Sequence, residues 1–365
     1  NCLHTIKFVF YILLGIKYMN KIKKLFFILL LIFFIINVII VILWPIKTNL
    51  KFSNFEPYTK EVLQVLDLNK ADSKKLYLET WQRERIFEYD QFTGLTESET
   101  TNFKFVNISK ENGRLVSNNK NNCTNNIFFY GGETMFGYDV TDYQTIPFYF
   151  KEKLNDKFNN NKYCVYNFGR STYFSTQENI LFQKHILENK IKKNDILIFL
   201  NGINEKGNIE IINTKFISHN YNQLHKKYWN LYKSGFEIFL GTLPSTQFYE
   251  ILRKKFKKIN KKSKNETKKK EKQSEEILKV FNKNIDIRLS ICEKFELKCF
   301  SFLQPFIDDY GKKSLLKTNN NIIDISNVLD MNENVIFIKN QFYSPRSNNL
   351  ISEKILDIIQ NKIIY

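Results

Sequence analysis

The chain is short of histidine. It has four in 365 residues (His4, His185, His219 and His225), so residues 226–365 contain no imidazole to serve as a general base. Five cysteines, at positions 2, 123, 164, 292 and 299, form no C-x-x-C pair. With so few histidines beside them, that spacing argues against zinc. The cysteines are either small apolar residues or, in an exported domain, a Cys292–Cys299 or Cys123–Cys164 disulfide; spacing alone does not decide. Arginine is also scarce. The net charge of +18 rests almost wholly on lysine, beside abundant Asn, Ile and Phe, as AT-rich coding produces. Nucleic-acid binders carry arginine and a recognisable module, and neither is present. The glycine-rich "GGETMFG" lacks the Lys-Ser/Thr ending of a phosphate loop. No nucleic acid, metal or cofactor is therefore expected.

One feature the sequence has in excess is a long apolar run. Residues 25–44 are apolar except for Asn37, long enough to span a bilayer core. Lys17, Lys21, Lys23 and Lys24 precede the run, and residues 1–24 hold no acid. This predicts a transmembrane anchor with residues 1–24 cytoplasmic and the main domain on the outer side. No small-x-small cleavage site follows, so the anchor reads as uncleaved. Met19 opens "MNKIKKLFF", and residues 1–18 are expected to lie upstream of the translated start.

Residues 45–125 read as a polar extension packing on the domain that follows. From residue 126 strands and helices alternate: "NIFFYG", "TIPFYFKEKLNDKF", "YCVYNFG", "STQENILFQKHILENK" (Ser175 and Glu178 spaced as a capping box), "DILIFLNG", "YNQLHKKYWNLYKSG", "FEIFLGTLP", "EEILKVFNKNIDIRLSICEKF", "KCFSFLQP" and "LISEKILDIIQNKI". The alternation predicts an α/β fold, a parallel sheet covered on both faces, with the site at the carboxyl ends of its strands. Residues 253–276 form a basic insertion with few apolar residues. It reads as a solvated helix extension or a disordered segment, with lipid headgroups as the sharper partner.

Four blocks stand out, in order: "FFYGGETMFGYDVTDYQTIPFYF", "VYNFGRSTYFSTQENILFQ", "ILIFLNGINE" and "FYSPRSNNLISEKI". In order and spacing they resemble the SGNH (GDSL-like) hydrolases, specifically a membrane-anchored bacterial branch. The resemblance covers residues 80–365, with the domain proper at 126–365. It implies a flavodoxin-like three-layer α/β/α sandwich with a parallel sheet, and ester or acyl hydrolysis by a serine with a histidine base and an aspartate. The first-block serine position is Glu133. The oxyanion donors of the second and third blocks fall on Gly169 and Asn204. In the last block, Lys339 stands where the aspartate belongs and Phe342 where the histidine belongs. Because no histidine follows residue 225, no shift of register restores one.

The oxyanion side matches and the triad does not. Glu133 has no hydroxyl to activate, and Phe342 cannot activate water to clear an intermediate. Donors built for an oxyanion can hold the Glu133 carboxylate itself, or Glu133 can pair with Lys339 across the former cleft. A Glu133–Glu205 carboxylate pair is a weaker reading. Ser171, Ser175 and Thr176 read as turn and cap residues, and His185 as a surface or core histidine. The sequence thus points to a pseudoenzyme that binds an acylated envelope glycan, a lipid or a partner protein. The alternatives are an ester or acyl hydrolase using Glu133 in a rearranged mechanism, and a structural envelope protein.

Overall fold

The computed structural model describes a helix at residues 27–39, with Lys21 and Leu25, and residues 56–81, 87–100, 102–116, 123, 125–158, 163–202, 204–205, 267–305, 321–329, 336–339 and 342–364. The chain divides into two compact units, one made of residues 1–55 with 228–263, the other of residues 56–227 with 264–365.

In the first unit, the helix at 27–39 exposes large apolar side chains all round and carries one polar residue, Asn37, whose amide donates to the Phe33 carbonyl at 2.8 Å. Among the described residues no helix is long and apolar enough to cross a membrane. The predicted span, 25–44, extends beyond what is described. The predicted helix 221–235, the predicted strand 236–244 and most of the basic insertion also lie outside the described residues.

The second unit opens with two short helices, α1 (Lys60–Leu66) and α2 (Lys70–Thr80), and two hairpins, β1 (Phe87–Asp90) with β2 (Gly94–Glu97) and β3 (Ile108–Ser109) with β4 (Gly113–Arg114). Then come β5 (Asn125–Gly131), α3 (Glu133–Phe136), α4 (Ile146–Phe158), β6 (Tyr163–Gly169), α5 (Ser175–Leu187), β7 (Ile196–Asn201), α6 (Thr267–Lys294), β8 (Lys298–Leu303), β9 (Ile323–Asp324), β10 (Phe337–Lys339), β11 (Phe342–Tyr343) and α7 (Pro345–Ile364). The main sheet runs β3-β4-β6-β5-β7-β8-β9, parallel throughout except for β3 with β4. Numbered along the chain among the described residues, the strands from β6 to β9 lie in the order 2-1-3-4-5. β7 and β8 pair directly, from Ile196 with Lys298 to Asn201 with Leu303.

Alternation along the central strands builds the layers. Ile127 and Phe129 on β5, with Ile196, Ile198 and Leu200 on β7, pack on Phe150 and Leu154 of α4 and Ile351 and Ile355 of α7. Phe128, Tyr130, Leu197 and Phe199 point the other way, onto Leu181 and Phe182 of α5 and Cys292 of α6. Side chains two apart share a face, so both faces of these strands are apolar and covered. The amino-terminal helices pack on the domain through Tyr58, Val62, Leu66 and Leu76, against Phe136, Tyr138 and Phe342.

One local expectation fails. Ser175 does not cap α5. The cap residue is Phe174, the Ser175 N–H is taken by the Glu205 carboxylate at 2.7 Å, and Glu178 turns inward to Arg288. A buried cation outcompetes a surface capping box for that carboxylate.

Two disulfides are formed, Cys123–Cys164 and Cys292–Cys299. The first ties the residues ahead of β5 to β6, and the second ties α6 to β8.

Candidate functional site

The strand crest gathers most of the predicted residues. β5 ends at Gly131, Gly132 turns the chain, and Glu133 is the first residue of α3. This one-turn helix is anchored from three sides. The Asn167 amide of β6 donates to the Met135 carbonyl at 3.0 Å, the Arg114 guanidinium of β4 donates to the Phe136 carbonyl at 2.7 Å, and the Thr134 hydroxyl donates to Gln304 at 2.6 Å. Arg114 is itself held by Asp142 at 2.9 Å, with both side chains buried. Gly169 closes the packing, since a Cβ there would run into the Met135–Phe136 backbone. Glycine is required at 169 by that close approach.

The Glu133 side chain folds back onto the second block. Its Oε1 accepts the Thr172 N–H at 2.7 Å. Asn204, just beyond β7, supplies a side-chain amide to the same carboxylate and also donates to the Tyr173 carbonyl at 2.5 Å. Burial raises the Glu133 carboxyl above its ordinary value of 4.5. The Glu133 N–H, the Asn204 amide and the Thr172 N–H act in the opposite direction, and the charge of Glu97 adds a smaller upward push. The arrangement is a small nest of donors already filled by a carboxylate from its own chain.

The Gly169 N–H goes to the Asn167 side chain at 3.0 Å. The second-block N–H that meets Glu133 is that of Thr172, three residues on, held at φ +60°. That backbone is rare for a threonine, and it turns the Thr172 N–H toward Glu133. The sequence reading missed Thr172 because nothing marks a threonine as adopting a glycine-like conformation.

Phe342 is buried in an aromatic cluster, stacked on Tyr138 at 5.4 Å and edge-on to Trp81 at 5.5 Å. Lys339 and Phe342 are register partners on the β10–β11 hairpin. The Lys339 side chain, and with it the expected pairing to Glu133, lies outside the described residues. Glu205 is engaged locally, accepting the Ser175 N–H and the Gly202 N–H at 3.0 Å.

The second-block hydroxyls of Ser171, Ser175 and Thr176 have local partners. Ser171 accepts from the Tyr138 hydroxyl at 2.7 Å, and the Asn284 amide donates to Ser175 at 3.0 Å and Thr176 at 2.8 Å. His185, the histidine among the described residues, is buried against the Phe168 ring and meets the Tyr130 hydroxyl at 2.7 Å. Among the described residues no histidine is seated on a serine, and no cluster of His, Cys, Asp and Glu has metal-binding geometry.

No protein-family model matches the sequence, and no curated protein matches it. The structure is similar to a solved structure described as LAE5, an alpha/beta hydrolase enzyme from the metagenome of Lake Arreo, Spain. The TM-score is 0.37 and the identity 8%, over 65% of this chain and 95% of the other.

Proposed function

We propose that the second unit is an SGNH-type hydrolase scaffold that has lost its triad, carried on a membrane-anchored, exported chain, and that it acts by binding rather than turnover. The observation that carries this reading is the Glu133 carboxylate seated on the Thr172 N–H beside the Asn204 amide. Asn204 is one of the positions where the resemblance puts an oxyanion donor, and here its amide and the Thr172 N–H serve a carboxylate instead. With a carboxylate in place, an incoming acyl oxygen meets a competitor of its own charge type. Glu133 has no hydroxyl to be activated as an acyl-accepting nucleophile, and Phe342, buried among rings, has no proton to exchange. Two disulfides fit an oxidising compartment, which supports export. The apolar stretch at 25–44 supports the anchor, and the ligand class that fits both is an acylated envelope glycan or a lipid.

The test is a fluorophosphonate serine-hydrolase probe and a short acyl ester, applied to the full-length chain. No labelling, and ester turnover equal in wild type and Glu133→Ala, is the expected result. Labelling of the wild type, or turnover that Glu133→Ala abolishes, would show an active hydrolase and sink the reading.

A further inference from the structure

A cavity of about 320 Å³ lies between the β1–β2 hairpin and α5, at the small end of the usual range for ligand pockets. Its wall is strongly charged, yet most of the charges are already partnered. Lys184 contacts Asp90, Lys110 meets Glu88 at 3.3 Å, and Lys190 meets Glu188 at 3.1 Å. Two lining residues differ. Arg170 and Glu97 are 5% and 4% exposed. The Arg170 Nε lies 3.7 Å from the Glu97 Oε2, near enough to cancel charge but too far for a hydrogen bond. Glu97 Oε1 accepts the Ser171 N–H at 2.8 Å, whereas Glu97 Oε2 and Arg170 Nε and Nη1 have no hydrogen-bond partner.

The unmet need is therefore for hydrogen bonds and not for charge. An anion in the cavity would be repelled by Glu97, and a cation by Arg170. A hydroxyl suits the pair, because a single oxygen can accept from the guanidinium and donate to the carboxylate, spanning 3.7 Å. A neighbouring hydroxyl could take the second guanidinium N–H. We propose that this cavity binds a neutral, hydroxyl-bearing ligand of the kind a sugar ring presents, with Arg170 donating to its hydroxyls and Glu97 accepting from them. The cavity is a second place, joined to the Glu133 nest through the Arg170–Thr172 turn. Its test reads binding, whereas the test of the nest reads turnover, so either reading can fail alone.

The experiment is calorimetric titration of the full-length chain, in a sugar-free detergent, with methyl glucoside, methyl galactoside and N-acetylglucosamine. At least one should bind saturably. Glu97→Gln and Arg170→Lys, checked for folding by circular dichroism, should each weaken that binding about tenfold, as expected for losing one hydrogen bond to a charged group. Lys153→Gln, which breaks a surface ion pair with Glu353 and does not line the cavity, should leave it unchanged. Failure of all three sugars to saturate, or binding that is indifferent to Glu97→Gln, overturns the proposal. So does binding of acetate or glycine in their place. If Arg170→Lys does not fold, Glu97→Gln decides alone.

Discussion

Glu133 is where sequence and chemistry diverge most, and its effect on stability can be measured. Its carboxyl is held above its ordinary value in the folded state, chiefly by burial. The folded chain then binds that proton more tightly than the unfolded chain does. Below the ordinary value both states are protonated and Glu133 costs nothing. As pH rises from about 4.5 through the folded value, the unfolded state ionises first and stability falls. Glu133→Gln keeps an acceptor for the Thr172 N–H but has no charge to bury. The variant should match the wild type in acid and become the more stable of the two as pH approaches neutrality. Thermal melts across that range check it; a wild type that stays the more stable at neutral pH would mean the donors outweigh burial.

At the scale of elements, a buried cation on α6 links that helix to α5 and to the sheet. Arg288 reaches Glu178 of α5 at 3.1 Å, Asn179 at 2.7 Å, Asn201 of β7 at 3.0 Å and Ser301 of β8 at 3.1 Å, and lies over the Phe199 ring at 3.7 Å. Burial pushes Glu178 up to about 7 and Arg288 down to about 10, each held toward its charged form by the other. Arg288→Met should destabilise the domain by about 3–5 kcal/mol, because it strands the Glu178 carboxylate, measurable by urea unfolding. Double replacement, Arg288→Met with Glu178→Leu, should recover much of the loss; no recovery would assign the cost to packing instead. In the sequence Glu178 reads as half of a capping box. Its partner lies 110 residues away, a distance that no local pattern can bridge.

At the scale of the whole molecule, the disulfides should stabilise unequally. Cys123–Cys164 closes a separation of 41 residues and Cys292–Cys299 one of 7. Loop-closure entropy makes the first worth about 4 kcal/mol and the second about 2 kcal/mol. Cys123→Ser with Cys164→Ser should therefore lower the unfolding free energy more than Cys292→Ser with Cys299→Ser. An equal loss, or the reverse order, would show that strain or residual unfolded structure dominates.

By itself the sequence determined the layered α/β plan and the position of its main elements. The strands at 125–131, 163–169 and 196–201 and the helices at 146–158 and 175–187 fall close to the segments read from apolar runs, because burial on both strand faces and one helix face leaves a direct imprint on residue order. The sequence also marked Glu133 and Asn204 as neighbours of the crest, since each follows a strand end. Tertiary structure alone decided what those residues meet. It gave Glu133 the Thr172 N–H rather than that of Gly169, sent Phe342 to Tyr138 and Trp81, chose two cysteine pairs, and left Arg170 and Glu97 facing a cavity with hydrogen bonds unmade. Each of these depends on a turn conformation or on contacts between segments far apart in the chain, and periodicity carries no record of either.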